Sequence, residues 1–366
     1  VSRGLGDVYK RQTLLGSDKL TWEKSYKTNI GLEMMLWGKL NLTLDYYWER
    51  RKDILIQRSS LPSMAGFDAS IYANMGEMDN KGVDANLEYQ TRIGNKVGLR
   101  LFGNLTYSKN KIVFRDEPAM QYAYQKSEGT RYGEFYGYIA EGYFQSEEEI
   151  KKSPRQMREL APGDIKYKDL NDDGVIDAND QCYLGKSWFP SWSYGMGFNI
   201  NYHNFDLALF FQGVSDVSIM ANGGSIDTGN GDWGASGVGI VPFTGMGLNP
   251  SNVITKALDR WTADNPRADA WYPRMTANAT TNDNNYVNST HWLKDGSYLR
   301  LKQASLGYTL ENKKLMDKGI EYLYFYLSGQ NLLTFSKFKL WDPELGSNGA
   351  KYPLSRMVTL GMRVSF

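Results

Sequence analysis

The sequence has a single cysteine, Cys182, and only two histidines, His203 and His291. One thiol has no internal partner, so a disulfide framework is excluded, and two imidazoles are too few for a Cys/His zinc site. Any metal site must therefore use oxygen ligands. An excess of charge of one sign is also missing: 42 Lys+Arg against 41 Asp+Glu leave a formal net charge of +1. No global field draws the chain to nucleic acid or to anionic lipid, and no nucleic-acid partner is expected. No stretch approaches the roughly 20 consecutive apolar residues of a membrane-spanning helix, so any crossing of a membrane must be made by a closed barrel. Catalytic signatures are lacking too. There is no nucleophile elbow, P-loop or Rossmann glycine fingerprint, and two distant histidines form no visible triad. The run Glu147, Glu148 and Glu149 offers carboxylates of the kind a glycosidase pairs, but three adjacent glutamates read as a solvated face. The chain is not expected to be an enzyme. Residues 1–12 have neither an apolar h-region nor a small-residue cleavage site. They resemble a translated sequencing-adapter tail, so the expectation is a non-native segment at 1–12 and a native one at 13–366 that lacks an N-terminal half.

What the sequence does have is aromatic residues, 14% of the chain with 25 Tyr and 10 Trp. Their apolar bodies and polar tips suit a membrane–water boundary. It also has strict period-two alternation, which sends successive side chains to opposite faces of a strand. Leu42, Leu44, Tyr46 and Trp48 share one face while Asn41, Thr43 and Asp45 share the other. Val83 to Tyr89, Leu99 to Leu105, Tyr194 to Tyr202 and Phe205 to Phe211 repeat the split, with Phe210 blurring the polar face of the last. Asn29 to Leu36, Ser297 to Leu310 and Glu321 to Gln330 are further strands of less clear register, as bulges would produce. With the closing segment the total is nine strands.

Short and long connections alternate between these strands. Trp37-Gly38-Lys39, Gly94-Asn95-Lys96 and His203-Asn204 are tight turns, and Glu311 to Gly319 is intermediate. Between those hairpins lie the excursions Arg51 to Lys81, Lys109 to Trp192, Gly213 to Gly296 and Asn331 to Arg356. Outer-membrane barrels have this asymmetry, with short periplasmic turns and longer extracellular loops. A soluble β-sandwich would alternate as well, but four excursions beyond roughly 12–15 residues on one edge are uncommon in a compact soluble domain. The last residues place Val358, Leu360, Met362, Val364 and Phe366 on one face, the pattern of a terminal barrel strand.

The segment from Asp169 to Asp180 follows the spacing of a calcium loop. Asp169, Asn171, Asp173, Val175 (through its carbonyl), Asp177 and Asp180 stand at the ligand positions, with Gly174 at the sharp turn. Calcium takes six to eight hard oxygens, and side chains two residues apart on a tightly curved loop can converge on one ion. The last position holds Asp180 where Glu is usual, so a shorter carboxylate must reach. Ile176 is expected to anchor the loop to its neighbours. The other reading of the segment is an acidic turn held by Asx hydrogen bonds without metal. Loops rich in Gly, Asn, Trp and Tyr, from Asn222 to Trp233 and from Trp261 to Trp292, suit either the binding of a sugar or peptide or a large packed lid.

Several phrases together resemble the SusC/RagA family of TonB-linked transporters. They are LTWEKSYKTNIGLE from Leu20, NMGEMDNKGVDANLEY from Asn74, PGDIKYKDLNDDGVIDANDQCYLG from Pro162, NFDLALFFQG from Asn204, DGSYLRLKQASLGYTL from Asp295 and YLSGQNLLTFSKFKLWDPE from Tyr326. The resemblance covers nearly everything after Gln12. It implies an all-β, antiparallel transmembrane barrel in the outer membrane, of which this chain holds about the last nine strands of 22, without plug or TonB box. It further implies import of an oligosaccharide or peptide, powered through TonB, with a SusD-like surface lipoprotein as partner. A secreted or surface-attached β-rich binding protein with a calcium-stabilised loop is the alternative reading.

Overall fold

The computed structural model describes residues 20–60, 71–94, 96–222, 254–276, 284–349 and 351–366. Residues 1–12 and most of Asn222 to Trp233 lie outside the described residues. Two hairpins come first: β1 (Lys24–Leu36) with β2 (Leu40–Gln57), and β3 (Tyr72–Ile93) with β4 (Val97–Phe114). Short strands follow within an excursion, β5 (Glu134–Gly137), β6 (Ala140–Tyr143), β7 (Ile165–Tyr167) and β8 (Cys182–Ser187). A third hairpin joins β9 (Trp192–Tyr202) to β10 (Phe205–Ser215), and β11 (Ser218–Met220) and β12 (Leu293–Asp295) lie in the next excursion. The chain then forms β13 (Tyr298–Leu310), β14 (Tyr322–Ser336) and β15 (Met357–Ser365).

Nine of these strands form one antiparallel sheet in the order β1-β2-β3-β4-β9-β10-β13-β14-β15. It is a meander in which each strand pairs with the next sheet strand in the chain, as the nine alternating segments predicted. The turns have the chemistry that tight hairpins require. Trp37 and Gly38 both have positive φ, 53° and 61°, the geometry that matches the twist of two antiparallel strands.

Strand pairing aligns the two faces across the sheet. One row runs Leu36, Leu40, Tyr89, Leu101, Phe198, Leu209, Ala304, Gly329 and Val358. A row on the opposite face runs Glu33, Thr43, Asn86, Asn104, Gly195, Gln212, Arg300 and Thr334. The apolar face is the exposed one: Leu44, Leu101, Met196, Leu306, Leu327 and Leu360 all lie open on it. In a β-sandwich that face would be buried against a second sheet, and no such sheet covers it among the described residues. Aromatic residues close both ends of the apolar band, with Trp48, Tyr107 and Trp192 at the long-loop end and Tyr202, Phe205 and Phe325 at the short-turn end. β9 is 11 residues from Trp192 to Tyr202, and the ten steps between its ends span about 33 Å of strand, or about 25 Å of height at a typical barrel tilt. That is the thickness of the apolar belt of an outer-membrane barrel.

Two expectations need correction. The segment Arg51 to Lys81 is mostly strand, because β2 continues to Gln57 and β3 begins at Tyr72. Apolar alternation fades there because these strand ends rise beyond the apolar band and are held by ion pairs, such as Arg50 to Asp79 at 2.7 Å. A bulge at Lys52 and Asp53, with Asp53 at φ 57°, also breaks the pattern. The second correction concerns β1, which pairs with β2 without a register shift. The later strands do carry an irregularity, as expected of Ser297 to Leu310: Asn331 and Leu332 oppose Lys302, and Asn331 has φ 52°. Phe210 sits on the polar face, where it stacks on Phe102 at 6.0 Å.

Candidate functional site

The buried core of this chain lies in the excursions, not beneath the sheet. Phe135, Tyr138, Ile165 and Tyr167 from the first long excursion pack with Trp261, Tyr272 and Trp292 from the second. Burial of that much aromatic surface supplies the cohesion, and polar groups fix the register. Tyr138 N–H donates to the Asn288 carbonyl at 2.9 Å, and Thr290 N–H donates to the Tyr138 carbonyl at 3.0 Å. Asp164 is buried and ion-paired with Arg274 at 2.8 Å, while it also accepts from the Asn285 amide at 2.8 Å. The Tyr167 hydroxyl donates to the Asn284 carbonyl at 2.6 Å. The two excursions therefore form one folded body on the long-loop edge of the sheet. Within the stretch Trp261 to Trp292, Trp261, Tyr272 and Trp292 serve as packing, while Trp271 is only half-buried.

The Asp169 to Asp180 segment is a tight loop on this body. Asp169 accepts from the N–H groups of Asp172 at 2.7 Å and Gly174 at 2.8 Å, and Asp173 accepts from Val175 N–H at 2.8 Å. Asn171 accepts from Asp173 N–H at 3.1 Å, and Asp177 accepts from Asn179 N–H at 2.7 Å. Asp180 is fully buried and accepts from the N–H groups of Leu170 at 2.7 Å and Asp177 at 2.9 Å. Gly174 has φ 81° at the turn, a conformation that costs glycine nothing. Ile176 is 1% exposed and belongs to the aromatic core, as its position predicted. Neighbouring groups brace the loop from outside, with the Tyr124 hydroxyl donating to the Asn179 carbonyl at 2.7 Å. The donors are all oxygens, the set that calcium takes. Their present hydrogen bonds point them at the loop's own backbone, and among the described residues no three Asp, Glu, His or Cys side chains gather as a metal cluster. The run Glu147 to Glu149 is the first turn of the helix Glu147–Lys152, capped by Ser146, where negative charge suits the helix N-terminus.

Two further features join the loops to the barrel wall. Arg300, 1% exposed on β13, donates from Nη2 to both carboxylate oxygens of Asp342, at 2.6 and 2.8 Å, and from Nη1 to Glu344 at 3.0 Å. Beside it opens a cleft of about 1000 Å³ lined by Lys256, Lys294, Lys337, Lys339, Trp271 and Trp341 among others. Asp295 is the only carboxylate lining it among the described residues, 3.8 Å from Lys337. The Lys294 ammonium donates to the His291 carbonyl at 2.6 Å and lies 5.4 Å from the centre of the Trp271 ring. Burial, helped by the charge of Lys256, pulls the Lys294 pKa down to about 8. Burial and the charge of Lys294 likewise hold the His291 ring neutral, with a pKa lowered to about 4.

A meander with an outward apolar band, a polar inner face and a folded cap on one edge has the pattern of an outer-membrane β-barrel wall. The family model for the TonB dependent receptor-like β-barrel matches residues 3–332. The chain belongs to that family. The receptor chain is 28% identical to TonB-dependent receptor P3 of Formosa agariphila, over 97% of this chain and 35% of that protein. It is 23% identical to TonB-dependent receptor SusC of Bacteroides thetaiotaomicron, over 96% of this chain and 32% of that protein. Its fold matches the RagAB peptide importer in the open-open state with a TM-score of 0.71 and 24% identity, over 97% of this chain and 36% of that one. The receptor is thus of the SusC/RagA type, an outer-membrane β-barrel protein, and the chain spans about a third of the length of the curated relatives it matches.

Sequence reasoning located the acidic loop of this receptor but missed the lysine cleft and the Arg300 clasp. The four lysines come from segments far apart in the chain, and no spacing rule links them. The only available signal for Arg300 was a charged residue in a strand pattern, which reads equally well as solvent-facing.

Proposed function

We propose that this receptor chain forms part of a TonB-dependent importer that carries a bulky nutrient, an oligosaccharide or a peptide, across the outer membrane. The observation that carries the reading is the two-faced sheet with its apolar rows open to the outside and its polar rows turned inward. A wall of this kind encloses an aqueous path only when its edges are closed. Among the described residues β1 and β15 each have one neighbour in the sheet, so we assign their free edges to pairing with further strands of a 22-stranded, plugged barrel. Residues 13–366 would then be the C-terminal portion of that barrel. The folded body on the long-loop edge is the surface on which a SusD-like lipoprotein would close as a lid, and TonB would act from the periplasmic side. The test is uptake of labelled oligosaccharide and peptide pools by cells that carry the receptor, with and without TonB and the partner lipoprotein. Loss of uptake in both deletions is expected. Uptake that persists without TonB would sink the reading.

We also propose that Asp169, Asn171, Asp173, Asp177, Asp180 and the Val175 carbonyl hold a structural calcium ion. Support comes from the all-oxygen donor set and from Asp180, a buried carboxylate with no cationic side chain paired to it among the described residues. The ion would offset that buried charge and clip the loop against the core beneath Ile176. The Glu147–Lys152 helix and the isolated loop offer no paired helices to open, so the role is architectural rather than signalling.

A further inference from the structure

We propose that the lysine-lined cleft is a subsite for an anionic oligosaccharide, one that bears carboxylate or sulfate groups; the inference rests on the import reading and narrows its substrate class. Among the described residues four ammonium groups surround the cleft, Lys256, Lys294, Lys337 and Lys339, against the single lining carboxylate of Asp295. Lys256 is neutralised by Asp259 at 2.8 Å and Lys337 sits 3.8 Å from Asp295. Lys294 and Lys339 have no carboxylate partner among the described residues. An exposed lysine such as Lys339 needs none, but Lys294 is half-buried and holds only a carbonyl and a ring. Burying an ammonium without a counter-charge is costly, and the depressed proton affinity of Lys294 records that cost. A ligand anion would supply the missing charge.

The aromatic lining favours a sugar as carrier of that anion. Trp341 has its indole N–H committed to the Gly346 carbonyl at 2.8 Å, and it meets Phe338 edge-on at 4.8 Å. This leaves ring surface, with no spare donor, as its contribution to the wall. Trp271 presents its ring beneath the Lys294 ammonium. A pyranose stacked on an indole, with its exocyclic anion directed at the neighbouring ammonium, uses both features at once. Lys294 lies on β12 and Lys339 follows β14, so the two charges would grip the ligand from separate excursions.

The test is a titration of the purified receptor with trigalacturonate, a sulfated maltotriose, neutral maltotriose and triglutamate. Both charged sugars, or one of them, should bind at least about tenfold more tightly than maltotriose, and raised salt should weaken that binding. Lys294→Met, which keeps an unbranched side chain one atom shorter and without the charge, should remove about tenfold of the affinity for the charged sugar. Lys339→Gln, on the exposed rim, should weaken it in the same direction and covers the case in which the first variant misfolds. Which charged sugar binds identifies the source of the anion. Equal binding of maltotriose, indifference to Lys339→Gln, or triglutamate binding as tightly as the charged sugars would overturn the proposal. TonB-dependent uptake of a neutral nutrient with no binding of any anionic probe would overturn the subsite and leave import standing. Binding of the charged sugar without its TonB-dependent uptake would sustain the subsite and count against import.

Discussion

Arg300 sits in a strand, is almost wholly buried, and spends its fork on two carboxylates of a distant loop, with Thr334 accepting a further bond at 3.0 Å. A planar guanidinium satisfies several acceptors at fixed angles, which a lysine cannot. Arg300→Leu would leave Asp342 and Glu344 facing each other without their cation, so a loss of roughly 3 kcal/mol is expected. Proteolysis at 337–349 should accelerate, and Arg300→Lys should restore little. His291 makes a second residue-scale prediction. Its ring is neutral in the folded loop body with a pKa near 4, against 6.5 for an ordinary histidine. Between those values the unfolded chain takes up a proton that the folded chain refuses, so stability is lost as pH falls from 6.5 towards 4. The contribution is at most ~3 kcal/mol. Hydrogen-exchange protection of the loop body, taken relative to the intrinsic rate at each pH, should therefore fall on acidification less in His291→Gln than in the wild type. Carboxylates contribute equally to both proteins, and the difference isolates the imidazole.

At the scale of elements, the strands and the acidic loop are specified in different ways. A sheet strand needs only period-two alternation and a turn at its end, so β9 and β10 with the turn at His203 and Asn204 stand where the pattern put them. Where the upper parts of β2 and β3 leave the apolar belt, ion pairs replace alternation and the pattern loses its meaning. The acidic loop is specified by local hydrogen bonds that nearby N–H groups donate to the side-chain oxygens of Asp169, Asn171, Asp173 and Asp177. If calcium also holds it, chelation should increase proteolysis between Asp169 and Asp180, and Asp173→Ala should do the same without chelator. Cleavage unaffected by chelator would show that Asx turns alone maintain the loop. Close approach matters too: a Cβ on Gly361 would meet Tyr326 at 2.3 Å, so an inner-face tyrosine lies across a glycine of the adjacent strand and stiffens the pair.

Over the whole molecule, the sheet has the reverse of a soluble protein's arrangement, with its apolar side chains outermost. A charge placed on that side at mid-height meets hydrocarbon, and one placed on the inner side meets water. Leu101→Arg, in the middle of the apolar belt, should cost about 2–4 kcal/mol and lower the amount of assembled receptor. Asn41→Arg, on the inner face of β2, should be tolerated within about 0.5 kcal/mol. Heat-modifiability on gels and urea unfolding in lipid vesicles would measure both. Comparable losses at the two positions would mean that the faces have been assigned the wrong way round.

Alternation, turn residues and connection lengths determined on their own that the chain makes nine antiparallel strands with long loops on one edge. Each of those signals acts between residues a few positions apart, where backbone geometry fixes which side chains share a face. The acidic loop was legible for the same reason, since its residues are contiguous. The meeting of the excursions was decided only by the tertiary structure. It buried Trp292 against Tyr272 and Tyr286, separated packing aromatics from the cleft-lining Trp271, set Arg300 against Asp342, and brought together lysines from distant segments. Those outcomes depend on contacts between residues tens of positions apart or more, which the local patterns of the sequence do not encode.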